Sequence, residues 1–147
     1  MSKSLVYDIM QATGDRTEAP VPGLAVPVRA GRLYTIRCLV RFRSAAAATG
    51  AGFSFEPPGV PSLFVDTWQI ANTGQGTTAP TFSQGRTAGY GAVSSGVDLI
   101  NADLFATCDG LIQPGSDGVL SVRVRSGVSG SSVSVMSDSV LIVSEVR

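Results

Sequence analysis

Few residues in this chain could carry out bond-making chemistry. None of its 147 residues is a histidine, which removes the usual general base near neutral pH and the commonest metal ligand. Most hydrolase triads and most zinc sites are thereby excluded. Three carboxylates, Asp98, Asp103 and Asp109, lie close together in sequence. Paired carboxylates can drive glycoside hydrolysis or hold calcium, but this spacing matches no calcium loop. The alternative is that Asp98 caps a turn while Asp103 and Asp109 lie on the solvent side of a strand, opposite Leu104 and Cys108. Gly74-Gln-Gly76-Thr-Thr-Ala79 fits the loose dinucleotide string, yet Pro80 follows it and no helix opens there to receive a pyrophosphate. Neither a P-loop nor a Gly-x-Ser-x-Gly elbow occurs. The expectation is a protein without catalytic residues, metal or cofactor, and not an enzyme.

Cys38 and Cys108 stand seventy positions apart, outside any Cys-x-x-Cys spacing, and read as free, buried small hydrophobes. The arginines say more. Arg37, Arg41 and Arg43 share one face of a strand, Arg123 and Arg125 share a face of another, and Lys3 is the sole lysine. Arginine is favoured in protein interfaces because its planar fork binds carboxylates in pairs and is weakly hydrated. A solvated sheet face would use the same residues. Formal net charge is zero, which argues against nucleic acid as a partner. A hydrophobic share of 44% with 15% charged residues excludes disorder.

The elements that must position these residues are strands. From Leu33 to Arg43, Tyr34, Ile36, Cys38, Val40 and Phe42 alternate with Thr35, Arg37, Leu39, Arg41 and Arg43, the period of two that buries one register. Leu24, Val26 and Val28 form a second apolar register, with Pro27 outward as on an edge strand. Leu120, Val122 and Val124, then Val133 and Val135 beyond Ser126-Gly-Val-Ser-Gly130, read as a hairpin. Further strands are expected over 51–55, 63–70 and 99–112. Val140-Leu-Ile-Val143 is apolar on both registers and implies a terminal strand covered on both faces. Turn signals recur between the strands, no window holds three turns of amphipathic helix, and residues 71–96 read as a long Gly-, Thr- and Ser-rich loop. No stretch is long and apolar enough to suggest a membrane span, and Tyr7 and Asp8 interrupt the apolar core a signal peptide would need. The expected compartment of synthesis is a cytoplasm, with no membrane partner.

Four stretches carry a resemblance: Val26-Pro-Val-Arg-Ala-Gly-Arg-Leu-Tyr-Thr-Ile-Arg37, Phe42-Arg-Ser-Ala-Ala-Ala-Ala-Thr-Gly50, Gly118-Val-Leu-Ser-Val-Arg-Val-Arg-Ser126 and Val133-Ser-Val-Met-Ser-Asp-Ser-Val-Leu141. With them the chain resembles the small jelly-roll proteins in virions of tailed bacteriophages: head decoration (cement) proteins, head fibres and tail-fibre domains. The resemblance implies an all-β fold, an antiparallel β-sandwich of jelly-roll type, and a place on the virion, on the head surface above all. It names no catalytic residue.

The expected organisation is an N-terminal arm over 1–22 and a single sandwich over 23–147. The expected role is binding to the outside of the capsid and reinforcing it, with the major capsid protein as partner. Contact would run through Leu5, Val6, Ile9 and Met10 of the arm and through Arg37, Arg41 and Arg43. The chain is also expected to associate with itself, as a trimer or else a dimer, through Leu141 and Val143. Two alternatives stay open. One is a receptor- or glycan-binding fibre module with Trp68 and Tyr90 as its platform, and the other is a glycosidase built on Asp98 to Asp109.

Overall fold

The computed structural model describes residues 2–4, 9–11, 19–72, 80–85 and 93–147, with backbone alone for 2–4, 9–11 and Pro22. Among these residues there is no helix. The strands are β1 (Ser2–Ser4), β2 (Ile9–Gln11), β3 (Ala19–Val28), β4 (Tyr34–Ser44), β5 (Ala51–Glu56), β6 (Leu63–Ile70), β7 (Thr81–Gly85), β8 (Leu104–Gln113), β9 (Gly118–Ser126), β10 (Val133–Val135) and β11 (Val140–Glu145).

Two antiparallel sheets form from them. The larger runs β1-β11-β4-β8-β6-β7, with β10 also on β4 and β2 on β10; the smaller runs β3-β9-β5. The chain changes sheet at every step from β3 to β6, makes the β6–β7 hairpin, and returns through β8 between β4 and β6 and β9 between β3 and β5. On the free edge of β5, Val93 bridges Gly52 in the position of a fourth strand. The order β4-β8-β6-β7 over β3-β9-β5-Val93 is that of a jelly roll, two Greek keys folded face to face.

Alternation explains the core. The inward register of β4, from Tyr34 through Ile36, Cys38, Val40 and Phe42, is buried and meets Val26, Phe53, Phe55, Leu120, Val122 and Val124 from the smaller sheet. Phe53 lies at its centre, with ring centroids 5.4 Å from Phe42 and 5.5 Å from Trp68. β3 is indeed an edge strand, and it keeps Val21 and Leu24 both inward because its register on β9 shifts between Pro20 and Ala25, where Gly23 has φ +87°.

Several sequence expectations change. The segments at 120–124 and 133–135 are not a hairpin: both edges of β9 are taken by β3 and β5, and the chain crosses to the other sheet, where β10 pairs with β4. Residues 71–96 contain β7, whose inward register of Thr81, Ser83 and Gly85 lacks the apolar pattern that would have revealed it. The strand sought over 99–112 starts at Leu104, after a turn in which Asn101 takes φ +53°. β11 is covered on one face, since Leu141 and Val143 are buried while Ile142 is exposed. β3 begins at Ala19, ahead of the boundary placed after Pro22.

Candidate contact surface

The outward register of the larger sheet carries the exposed side chains that sequence reasoning singled out. From β4 come Thr35, Arg37, Leu39, Arg41 and Arg43; β8 adds Phe105, Thr107, Asp109 and Leu111. Cross-strand register sets Arg37 opposite Asp109, Leu39 opposite Thr107, Arg41 opposite Phe105 and Thr35 opposite Leu111. β6 brings Val65 beside Leu111, β11 brings Ile142 beside Arg37, and β7 contributes Phe82.

Backbone hydrogen bonds distinguish the two kinds of pair. The Arg41 amide donates to Ser139 Oγ at 3.0 Å and its carbonyl accepts from the Met136 amide at 2.8 Å, so both groups point away from β8. The backbone groups of the residues of the other parity, Cys38, Val40 and Phe42, point toward β8. Arg37–Asp109 is therefore a non-hydrogen-bonded pair, with Cα atoms about 4.5 Å apart and side chains close, whereas Cys38–Cys108 is the wider, hydrogen-bonded kind. The first consequence is visible: Arg37 Nε donates to Asp109 Oδ1 at 3.1 Å. The second is that Cys38 and Cys108, directly opposite and both buried, remain free thiols.

Further along β4, Arg43 Nε donates to Asp103 Oδ1 at 2.6 Å. Arg41 lies 3.6 Å from Asp103 and 3.7 Å from Asp138, with Ser137 Oγ accepting at 3.3 Å. The hydrogen bond from Arg43, helped by the charges of Arg43 and Arg41, holds the Asp103 carboxyl below its ordinary range against partial burial. All three arginines of the expected contact set thus lie on this face, each beside a carboxylate. Asp103 and Asp109 lie six positions apart along the β8 direction, about 20 Å, too far for the roughly 5–9.5 Å of a glycosidase pair. Among the described residues no group of three or more His, Cys, Asp or Glu could hold a metal.

Sequence reasoning missed the apolar half of the surface. Leu39, Leu111 and Ile142 are 38%, 39% and 38% exposed, Phe105 is 47% and Phe82 is 60%. For Leu39, Phe105 and Leu111 the signal was available, because each is an apolar residue on a register whose neighbours are polar. Between Leu111, Val65, Ile142 and the Arg37–Asp109 pair the face dips into an open depression of about 620 Å³.

Other expected site residues are placed differently. Trp68 offers no ligand platform: β6 turns it inward, 1% exposed, against Phe53 and Phe55, with its indole donating to Asp66 Oδ2 at 3.0 Å. Asp66 shares that inward register. Leu141 and Val143 are fully buried within the chain's own sandwich, so on β11 the side chains open to a partner are those of Ile142, Ser144 and Glu145, with Val140 half-buried. Leu5, Val6 and Tyr90 lie outside the described residues, and Ile9 and Met10 belong to β2, paired to β10 through Val135 and Ser134.

No family model and no curated protein matches this chain. Its fold is similar to solved structures at low identity. The Eiger TNF of S. frugiperda has 10% identity and TM-score 0.40, over 100% of this chain and 92% of that one. The carbohydrate-binding module TmCBM61, solved with β-1,4-galactotriose, has 8% identity and TM-score 0.39, over 92% and 87%. The VP2 subviral particle of infectious bursal disease virus has 10% identity and TM-score 0.32, over 97% and 38%. The jelly-roll assignment rests on strand order, independently of these likenesses.

Proposed function

We propose that this chain is a non-catalytic structural protein of a tailed-phage particle that binds the outside of the capsid and reinforces it. The observation that carries the proposal is the outer face of the larger sheet. There, large apolar side chains stand half-exposed between arginine–carboxylate pairs, a composition suited to contact with protein. Reinforcement needs no active site. Interfaces of roughly 1,200–2,000 Å², repeated over a shell and linked by self-association, resist internal pressure collectively, since each further contact forms at high effective concentration. Attachment to the major capsid protein is assigned to the segment 1–22, carrying Leu5, Val6, Ile9 and Met10.

The test is to add purified protein to heads of its own phage assembled without it. Saturable co-sedimentation and a raised resistance of the heads to heat are expected. Absence of binding at micromolar protein refutes the role. A chain starting at Val21 should fold yet no longer bind; if it still decorates heads, attachment lies elsewhere. The glycan-binding alternative has lost Trp68 to the core.

A further inference from the structure

We infer that the outer face of the larger sheet is covered by a second copy of the same chain, packed face to face about a two-fold axis that crosses the strands at right angles. The inference rests on reading this face as a protein-contact surface and is independent of the particle to which the protein belongs.

The area is sufficient. Strands β11, β4, β8, β6 and β7 lie side by side, and at about 4.8 Å between strands and 3.3 Å per residue a face eight to ten residues long covers roughly 700 Å². Specific, stable interfaces take roughly 600–1,000 Å² from each partner.

Charge also favours a second copy. Arg37, Arg41 and Arg43 on this face are set against Asp103, Asp109 and Asp138, each arginine within 3.7 Å of a carboxylate. A locally neutralised surface meets its own image without like-charge repulsion, and it lacks the net field that would attract an anionic polymer.

Shape then selects the symmetry. Phe105 protrudes at one end of β8, and the depression beside Leu111 and Val65 opens at the other. Six positions, about 20 Å, separate them along one strand. A two-fold axis over the midpoint, at Cys108, reverses the strand direction of the second copy and sets each Phe105 over the other's depression. The row of Arg37 and Asp109 then faces the row of Leu39 and Thr107. One face covering itself in this way is isologous, which closes at two copies.

Sedimentation equilibrium of the full chain tests this, alone and with no capsid present. The expected mass is that of two chains at micromolar concentration. Phe105→Asp and Leu111→Arg should each raise the dissociation constant about thirty-fold or more, the loss typical of a central anchor. Val60→Asp, on an 88% exposed loop residue at the end of the sandwich, should leave it unchanged. Far-ultraviolet circular dichroism should match in all four proteins, because none of the substituted side chains is in the core. A monomer, a mass of three chains, or a dimer indifferent to both face substitutions overturns the inference. A monomer that binds phage heads defeats the inference and leaves the proposed function standing; a dimer that fails to bind them does the reverse.

Discussion

Asp66 places a carboxylate inside the sandwich, 5% exposed, where it accepts the Trp68 indole at 3.0 Å and a backbone hydrogen bond from Gly85. Burial pushes its pKa up, and the hydrogen bonds from Trp68 and Gly85 offset part of that rise. Two substitutions separate its roles. Asp66→Asn keeps an acceptor of the same shape and removes the charge, whereas Asp66→Ala leaves the buried Trp68 indole N–H without its partner. An orphaned buried donor costs about 1–3 kcal/mol, so the alanine variant should lose at least about 1 kcal/mol, a sizeable share of a typical 5–15 kcal/mol.

The pH dependence has a definite sign. A carboxyl whose native pKa is raised holds more protons folded than unfolded, so the stability it contributes falls as pH rises from the unfolded value near 3.8 through the higher native value. Asp66→Asn lacks this loss, and the stability difference, Asn variant minus wild type, should grow from pH 4 to pH 7. Trp68 is the chain's single tryptophan and lies within hydrogen-bond reach of the substituted group, so its emission reports urea unfolding directly. A difference flat across that range, or an Asp66→Ala variant as stable as wild type, would refute the reasoning.

Both cysteines should resist a thiol reagent in the native protein and react together on unfolding, since burial raises the pKa of Cys38, and burial with the nearby Asp66 charge that of Cys108. Mild oxidation should not bridge them: a hydrogen-bonded pair keeps its side chains wider than the 3.5–4.5 Å Cβ separation a disulfide favours, and a mass loss of two hydrogens without unfolding would contradict that geometry. Phe53→Ala empties the centre of the aromatic cluster between the sheets and should cost about 3–5 kcal/mol in urea unfolding; a cost below about 1 kcal/mol would mean that the cluster collapses around the gap. Gly50→Ala forces a Cβ onto the Ser94 carbonyl, which packs there as part of the segment tied to the β4–β5 turn, and should lower the melting temperature by the several degrees that about 1–3 kcal/mol of overpacking implies.

Period-two alternation is a local property, and it was enough to assign the buried register of β4, β8 and β9 and the outward direction of Arg37, Arg41 and Arg43, while Pro27, which has no amide to donate, marked β3 as an edge. It also placed Cys38 and Cys108 in the core, because each stands on an apolar register. Pairing is not local. Whether β9 and β10 join as a hairpin depends on which edges are already occupied, and β3 and β5 occupy both edges of β9. The inward turn of Trp68 likewise depends on Asp66 finding donors in the core. For the contact face, the outward positions of Leu39, Phe105 and Leu111 were legible one strand at a time, but their assembly into one apolar surface around Arg37 and Asp109 needed β4, β8, β6 and β11 side by side. A strand's own residues determine which of its faces is buried; the partners at its edges, distant in the chain, decide what stands beside it.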